Sequence, residues 1–298
     1  VRYAIISDIH SNLHAFKQAL EEIEVAKVDK IICLGDVVGY NALPSECIKL
    51  LQEHPKVKKV FGGNHDSDVC RFDTLRSGEI MEMSVDAYKG AEYSSSNISD
   101  AEKEWLGGLP VQEVIEDPHM PFWCSHYSPN KCTVYGYILN KSSGMEASST
   151  LKLLGKANLF FFGHTHLPTY IKRAYESFGE FHFDMGRHLE NDTYVIDGKF
   201  CYLINPGAIG QPRNGGITSF AILDTEERTV KIQGFEYNIK PAQQAIEEAG
   251  YSNRIAKRLD SSEDEEVLAK AKKAAKKKRC KERQKAKDAL KSSKVTKK

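Results

Sequence analysis

Five short clusters of metal-seeking residues each follow directly on a short apolar run. They are Asp8-Ile9-His10, Gly35-Asp36, Gly63-Asn64-His65-Asp66, Ser125-His126 and Gly163-His164-Thr165-His166. The runs before them, residues 3–6, 31–34, 57–61, 122–124 and 159–162, are rich in aromatic and branched side chains. Such runs read as buried parallel strands. Ligands of open α/β sheets bind beyond the carboxyl ends of the strands. The pattern therefore gathers three aspartates, an asparagine and five histidines on one sheet edge, and predicts a metal site.

Helical segments lead from cluster to cluster. Leu13, Phe16, Leu20 and Ile23 recur at helical spacing, after Ser11 or Asn12 as a cap. Pro44-Ser45-Glu46 opens a second helix, and residues 97–106 a third that stops at Gly107-Gly108. After Gly163 the texture changes: 169–175, 180–183, 193–196, 200–204, 220–224 and 230–236 read as strands between turn residues. Asp197-Gly198 predicts a hairpin turn. The fold class is α/β (α+β by some schemes): a sandwich of two mixed sheets flanked by helices, four layers in all.

The globular reading rests on ordinary hydrophobic and charged fractions, 41% and 28%. No apolar run approaches the roughly 18 residues of a membrane span, so no membrane partner is expected. The chain starts in a strand without a signal-peptide pattern, but it lacks an initiator Met, so an upstream leader is left open. Its seven cysteines are scattered, with no Cys-x-x-Cys pair, which points to reduced thiols and a cytoplasmic location. Charge is divided unevenly. Residues 267–298 hold 15 Lys or Arg against Glu282 and Asp288, a net of +13, so the first 266 residues carry −12 of the overall +1. We expect a domain over 1–262 and an acidic-then-basic, Lys-rich tail over 263–298, disordered or a solvated helix. Such a tail suits non-specific contact with nucleic-acid phosphates. It has no aromatic residue on which bases would stack.

Two metal ions held close together are a recurrent device for phosphoester hydrolysis, and one carboxylate must bridge them. Asp36 is the natural bridge. Oxygen and imidazole ligands suit Mn, Fe, Zn, Ni or Co. In order, Asp-x-His, Gly-Asp-x-x-Gly, Gly-Asn-His-Asp, a lone His and Gly-His-x-His resemble the calcineurin-like metallophosphoesterase family, over roughly residues 1–240. The resemblance implies that family's four-layer sandwich and two divalent ions, with manganese the first choice. It places Asp8, His10, Asp36 and His166 on one ion, and Asp36, Asn64, His126 and His164 on the other. It makes His65 the group that protonates the leaving oxygen, with Asp66 orienting it. The implied reaction is single-step attack on phosphorus by a hydroxide bridging the metals. Phosphodiesters, phosphomonoesters and nucleotide anhydrides are the implied substrates, within a compact prokaryotic branch of phosphodiesterases and phosphatases. The alternatives are a non-catalytic scaffold on the same fold and a nuclease that uses the basic tail.

Departures from the family pattern mark substrate contacts. Gly39-Tyr40 stands where the protein Ser/Thr phosphatases carry a phosphate-binding arginine, and Arg213 is the candidate replacement. Tyr127 follows the lone histidine where a glycine is usual, and is expected to narrow the entrance. Residues 174–199 are longer than in compact relatives and predict an extra hairpin near the mouth. The Asn205-Pro206-Gly207 turn lines the pocket or simply reverses the chain.

Overall fold

Strand β1 (Arg2–Ile6) is buried on both faces, with Tyr3 and Ile5 turned one way and Ala4 and Ile6 the other. This is why the run reads as continuously apolar rather than alternating. The structure is a computed structural model that describes residues 1–129, 137–175, 179–186, 189, 191–213, 218–251 and 253–260. From β1 the chain passes through α1 (Leu13–Val25) to β2 (Lys30–Cys33), then through α2 (Pro44–Glu53) to β3 (Val57–Val60). Helices α3 (Asn64–Cys70), α4 (Ser77–Glu82), α5 (Val85–Ser96) and α6 (Asp100–Gly107) follow. Next come β4 (Gln112–Ile115), β5 (Phe122–Ser125), α7 (Lys141–Leu154) and β6 (Leu159–Phe161). Strands β7 (Thr169–Ala174), β8 (Phe181–Met185), β9 (Thr193–Val195), β10 (Phe200–Asn205), β11 (Thr218–Asp224) and β12 (Thr229–Phe235) precede α8 (Ile239–Glu248) and α9 (Asn253–Lys257).

The strands form two six-stranded sheets, in the orders β3-β2-β1-β11-β12-β9 and β4-β5-β6-β10-β7-β8. Pairs β1–β2, β2–β3, β5–β6 and β6–β10 are parallel; the other pairs are antiparallel. Between the sheets lies one core containing Tyr3, Ile5, Phe61, Phe122, Phe161, Tyr202, Leu223 and Ile232. The outer face of the first sheet packs Ala4, Ile6, Ile31 and Phe220 against Phe16, Leu20 and Ile48 of α1 and α2. That of the second packs Phe160, Ile171 and Leu203 against Ala147 and Leu151 of α7. This is the four-layer α/β/β/α sandwich with two mixed sheets.

Three expectations need correction. The clusters do not share one sheet edge: three follow β1, β2 and β3 in the first sheet and two follow β5 and β6 in the second. Asp197-Gly198 does not close a hairpin, because β9 pairs with β12 while β10 pairs with β6 and β7 in the other sheet. Turn chemistry dictates a local reversal; which strands pair is decided by which faces must be buried. Strands β7 and β8 do pair antiparallel, but Thr169 pairs with Met185 at the ligand end and Arg173 with Phe181 at the end away from the mouth.

The C-terminal helices brace the loop after β2. Ile246, Tyr251, Ile255 and Leu259 pack with Ala42, and buried Asp86 of α5 pairs with Arg258 at 3.0 Å and Arg254 at 3.5 Å. Cys33, Cys47, Cys70, Cys124 and Cys201 are free thiols. No helix among the described residues is long and apolar enough to cross a membrane. The predicted domain boundary at 262, the tail over 263–298 and its nucleic-acid contact lie outside the described residues.

Candidate metal centre

Beyond the sheets the loops keep pairing with one another. Asp8 N–H donates to Gly35 O at 3.0 Å, His10 N–H to Asp36 O at 2.9 Å, and Gly163 N–H to His126 O at 3.0 Å. Loops from both sheets are thereby drawn together, with Gly210 N–H bonded to Asp8 O at 2.8 Å. The turns are sharp enough that Asp8, His10, Asp36, His164 and His166 all take left-handed backbone angles, φ between +48° and +69°. Left-handed geometry costs an L-residue roughly 1–2 kcal/mol, so five such residues in one place mark a site held in shape by its surroundings. Two glycines allow the close approach. A Cβ on Gly63 would run into Asp36 Oδ1, and one on Gly163 into Ser7 Oγ.

Two groups of ligand atoms converge, Asp8, His10, Asp36 and His166 in one and Asp36, His126 and His164 in the other. Asp36 is common to both. Its Oδ2 lies 3.7 Å from His10 Nε2 and 3.2 Å from His126 Nε2, while Oδ1 accepts the His65 N–H at 2.9 Å. His166 Nε2 lies 3.2 Å from Asp8 Oδ1 and 3.0 Å from His10 Nε2. Behind the ligands, His10 Nδ1 donates to Val38 O at 3.1 Å and His166 Nδ1 to Gln211 O at 2.6 Å. Those bonds leave both Nε2 lone pairs pointing inward, the usual arrangement behind a metal-bound imidazole.

The buried acceptors fit a pair of cations. Asp8 Oδ1, Asn64 Oδ1, His126 Nε2 and His164 Nε2 are buried without a hydrogen-bond partner. Groups left so are costly unless something else satisfies them. The protonation states of His10, His164, His166 and Asp36 fit as well, whereas a cation would have to displace the proton that His126 carries. Burial holds His10 and His166 well below the ordinary histidine value, and burial with the nearby His126 takes His164 down to about 3. Burial also opposes a charge on Asp36, but His126, His65 and His10 outweigh it and hold the carboxyl well below its usual range. For His126, burial favours the neutral ring, yet Asp36 prevails and raises it to about 9. Burial pushes Asp8 up to about 6, against the pull of His126.

His65 and Asn64 open α3, on either side of which Gly63 and the His65 N–H touch Asp36. The His65 ring packs edge-on to His10 at 4.9 Å and against Tyr40 at 4.5 Å, and its Nδ1 is buried without a partner. Asp66 does not orient it, contrary to expectation. The Asp66 carboxylate is taken up by backbone: Oδ1 accepts Val37 N–H at 2.8 Å and Val38 N–H at 3.2 Å, and Oδ2 accepts Gly63 N–H at 2.9 Å. It clamps the Gly35–Tyr40 loop to the Gly62–Asp66 loop. Position N3 of a helix favours this capping use of a carboxylate.

The substrate contacts expected from sequence divide. Tyr40 is buried against His10 and His65, with φ of +59°. Arg213 donates its N–H to His166 O at 3.4 Å, and its charge opposes protonation of His10, His65, His164 and His166. Tyr127 packs beside His126 and His164, at 5.1 and 5.5 Å, and is only 7% exposed. It forms a wall behind the ligands. The ring at the mouth is Tyr137, 39% exposed and stacked on His164 at 3.9 Å. Sequence reasoning missed Tyr137 because it stands outside every motif. Asn205 does not line the pocket: its amide donates to Gly163 O at 2.7 Å and Thr165 Oγ1 at 3.0 Å, bracing the last ligand loop.

A two-sheet sandwich with carboxylates and imidazoles gathered at its strand ends defines a class of dinuclear metal-centre proteins. Residues 1–228 match the model of the calcineurin-like phosphoesterase superfamily domain. An uncharacterized protein of Methanocaldococcus jannaschii is 31% identical over 250 residues, covering 82% of this chain and 90% of that protein. The crystal structure of a metallophosphoesterase from Sphaerobacter thermophilus is 28% identical, with a TM-score of 0.69 over 87% of this chain and 98% of its own. A hypothetical protein from Pyrococcus horikoshii shares the fold at 20% identity, with a TM-score of 0.68 over 87% of this chain and 97% of its own. The chain belongs to the calcineurin-like phosphoesterase superfamily and is a phosphoester hydrolase by that membership.

Proposed function

We propose that this protein hydrolyses phosphoesters (phosphodiesters, phosphomonoesters or nucleotide anhydrides) with two divalent ions held by Asp8, His10, Asp36, Asn64, His126, His164 and His166. The observation that carries the reading is Asp36, whose carboxylate is shared by two convergent groups of buried ligands. The ions supply Lewis acidity, which acidifies water for attack at phosphorus and offsets phosphoryl charge. Manganese is our first candidate, since every ligand is oxygen or imidazole nitrogen. The free, scattered thiols support a cytoplasmic location.

The protein's own groups do the rest. His65 stands beside the ligands without being one of them, and its unpartnered Nδ1 is free to hold a proton for the departing alcohol. Tyr40 packs against that ring and limits its rotation. Arg213 adds a positive charge facing the same cluster, suited to a phosphoryl oxygen. Metal analysis with hydrolysis of bis-aryl and aryl phosphates tests the proposal. Chelated protein should be inactive, and protein reloaded with manganese should carry two ions and turn over. His65→Asn should keep both ions and lose most turnover. Activity that persists in chelator, or a loaded protein inert on every ester, sinks it.

A further inference from the structure

A cleft of about 300 Å³ runs from the metal centre along the helical layer. Asn64, His65, Tyr40 and Tyr137 line its inner part; Asp68 of α3, Arg71 just past its end and Glu79 in the first turn of α4 continue it outward. Arg71 is already engaged. Its Nη1 binds Glu79 Oε1 at 2.7 Å and its Nη2 binds Asp68 Oδ1 at 3.4 Å. Glu79 is itself fixed, with Oε2 accepting the Arg76 N–H at 3.0 Å. Carboxylates thus outnumber the guanidinium two to one among the charged residues of the cleft.

Resting on the proposed function, we infer that this cleft receives the leaving-group side of the substrate, and that Glu79 with Asp68 selects alcohols bearing no negative charge. His65 determines the side: the group that protonates the departing oxygen lines both the centre and the cleft, so the alcohol must lie there. The outward charges determine the class. A second phosphate or carboxylate would have to displace one carboxylate from Arg71 and then sit beside it, an arrangement that discriminates by repulsion. The walls favour a flat group. Tyr137 stacks one face on His164 and is partly exposed at the cleft, and aromatic rings pack well on such a surface. Aryl alcohols and uncharged hydroxylated rings fit; alcohols carrying further phosphates do not.

Two phenyl phosphates that differ only in a para-carboxamide or para-carboxylate on the leaving phenol test this with full-length, manganese-loaded protein. Beyond the ratio of their uncatalysed hydrolysis rates, the carboxamide ester should show kcat/KM about 5-fold higher, the effect of one unit charge at contact range in water. The difference should lie in KM and shrink as salt is added. In Glu79→Gln and in Asp68→Asn the ratio should fall toward unity. The matching non-hydrolysable phosphonates, titrated calorimetrically, should bind in the same order. Equal handling of both esters, a preference for the carboxylate, or ratios unmoved by either substitution overturns the inference alone. Should neither monoester turn over, the order of phosphonate binding decides the inference, and inertness toward bis-aryl phosphate as well overturns the reading of the centre.

Discussion

His10 and His166 face each other at 3.0 Å through nitrogen atoms that both present lone pairs, since each ring gives its Nδ1 proton to a backbone carbonyl. Neither can donate to the other, so the contact is favourable only with a cation against both. Manganese should therefore stabilise the fold as well as activate it. At a hundredfold excess over Kd the gain is about 2.7 kcal/mol, which for a chain of this size raises the melting temperature by roughly 5 °C. Calorimetric scans with chelator and with manganese measure it. His10→Ala should lose much of the shift, and a melting temperature indifferent to metal would count against the centre.

Metal affinity should rise with pH. His126 is held up to about 9, burial working against its charge and Asp36 for it, so near neutrality the ring carries a proton where its ion would bind. Each unit of pH below 9 then weakens that ion up to tenfold, and the dependence levels off above 9. Stability of the metal-free protein runs the other way. A histidine raised above its unfolded value of about 6.5 contributes stability that is full below that value and lost as pH climbs through 9. Titrations of manganese between pH 6.5 and 9.5, with melting curves of chelated protein, should give opposite slopes. Parallel slopes would remove the His126–Asp36 pair from the account.

Asp66 should behave as a clamp. Asp66→Ala strands three backbone N–H groups in a buried place, at about 1–3 kcal/mol each, and lets the two ligand loops drift. Asp66→Asn turns an amide toward an N–H it cannot accept. Both variants should melt lower and bind metal more weakly. A carboxylate that merely oriented His65 predicts instead an unaltered melt and a displaced pH–rate profile, and the two measurements together decide.

Much of this site was legible from the chain because strand, glycine and ligand fall within a few residues of one another in each cluster, as in Gly63-Asn64-His65-Asp66. What was not legible depends on residues far apart in sequence. The split of the five clusters over two sheets follows from β11 pairing with β1, and β10 with β6, across long separations. The left-handed backbone at Asp8, His10 and Asp36 leaves no mark, because the residues there are dictated by the ion rather than by turn propensity. Helix α5 was missed since its buried positions are Asp86, Ala87, Gly90, Ala91, Ser94 and Ser95, polar or too small to make an apolar stripe. Gly90 has a reason of its own: a Cβ there would strike the Tyr40 backbone.

Gly63→Ala offers the sharpest separation of fold from site. Its backbone, φ −102° and ψ −177°, is extended geometry that alanine accepts, so no conformational penalty confuses the result. The added Cβ would meet the Asp36 carboxylate and the Asp36 backbone nitrogen, and push the shared carboxylate and its loop off both groups of ligands. Overpacking of this kind costs typically 1–3 kcal/mol, small enough for the sandwich to persist while the centre is lost. We expect fewer than two manganese ions per chain, little hydrolysis and a near-native circular dichroism spectrum. Gly198→Ala, with nothing within 4 Å of the new atom, is the control and should match the parent protein in all three. Two ions and full turnover in Gly63→Ala would mean that Asp36 has room to move, and that its position between the imidazoles is not what holds the metals together.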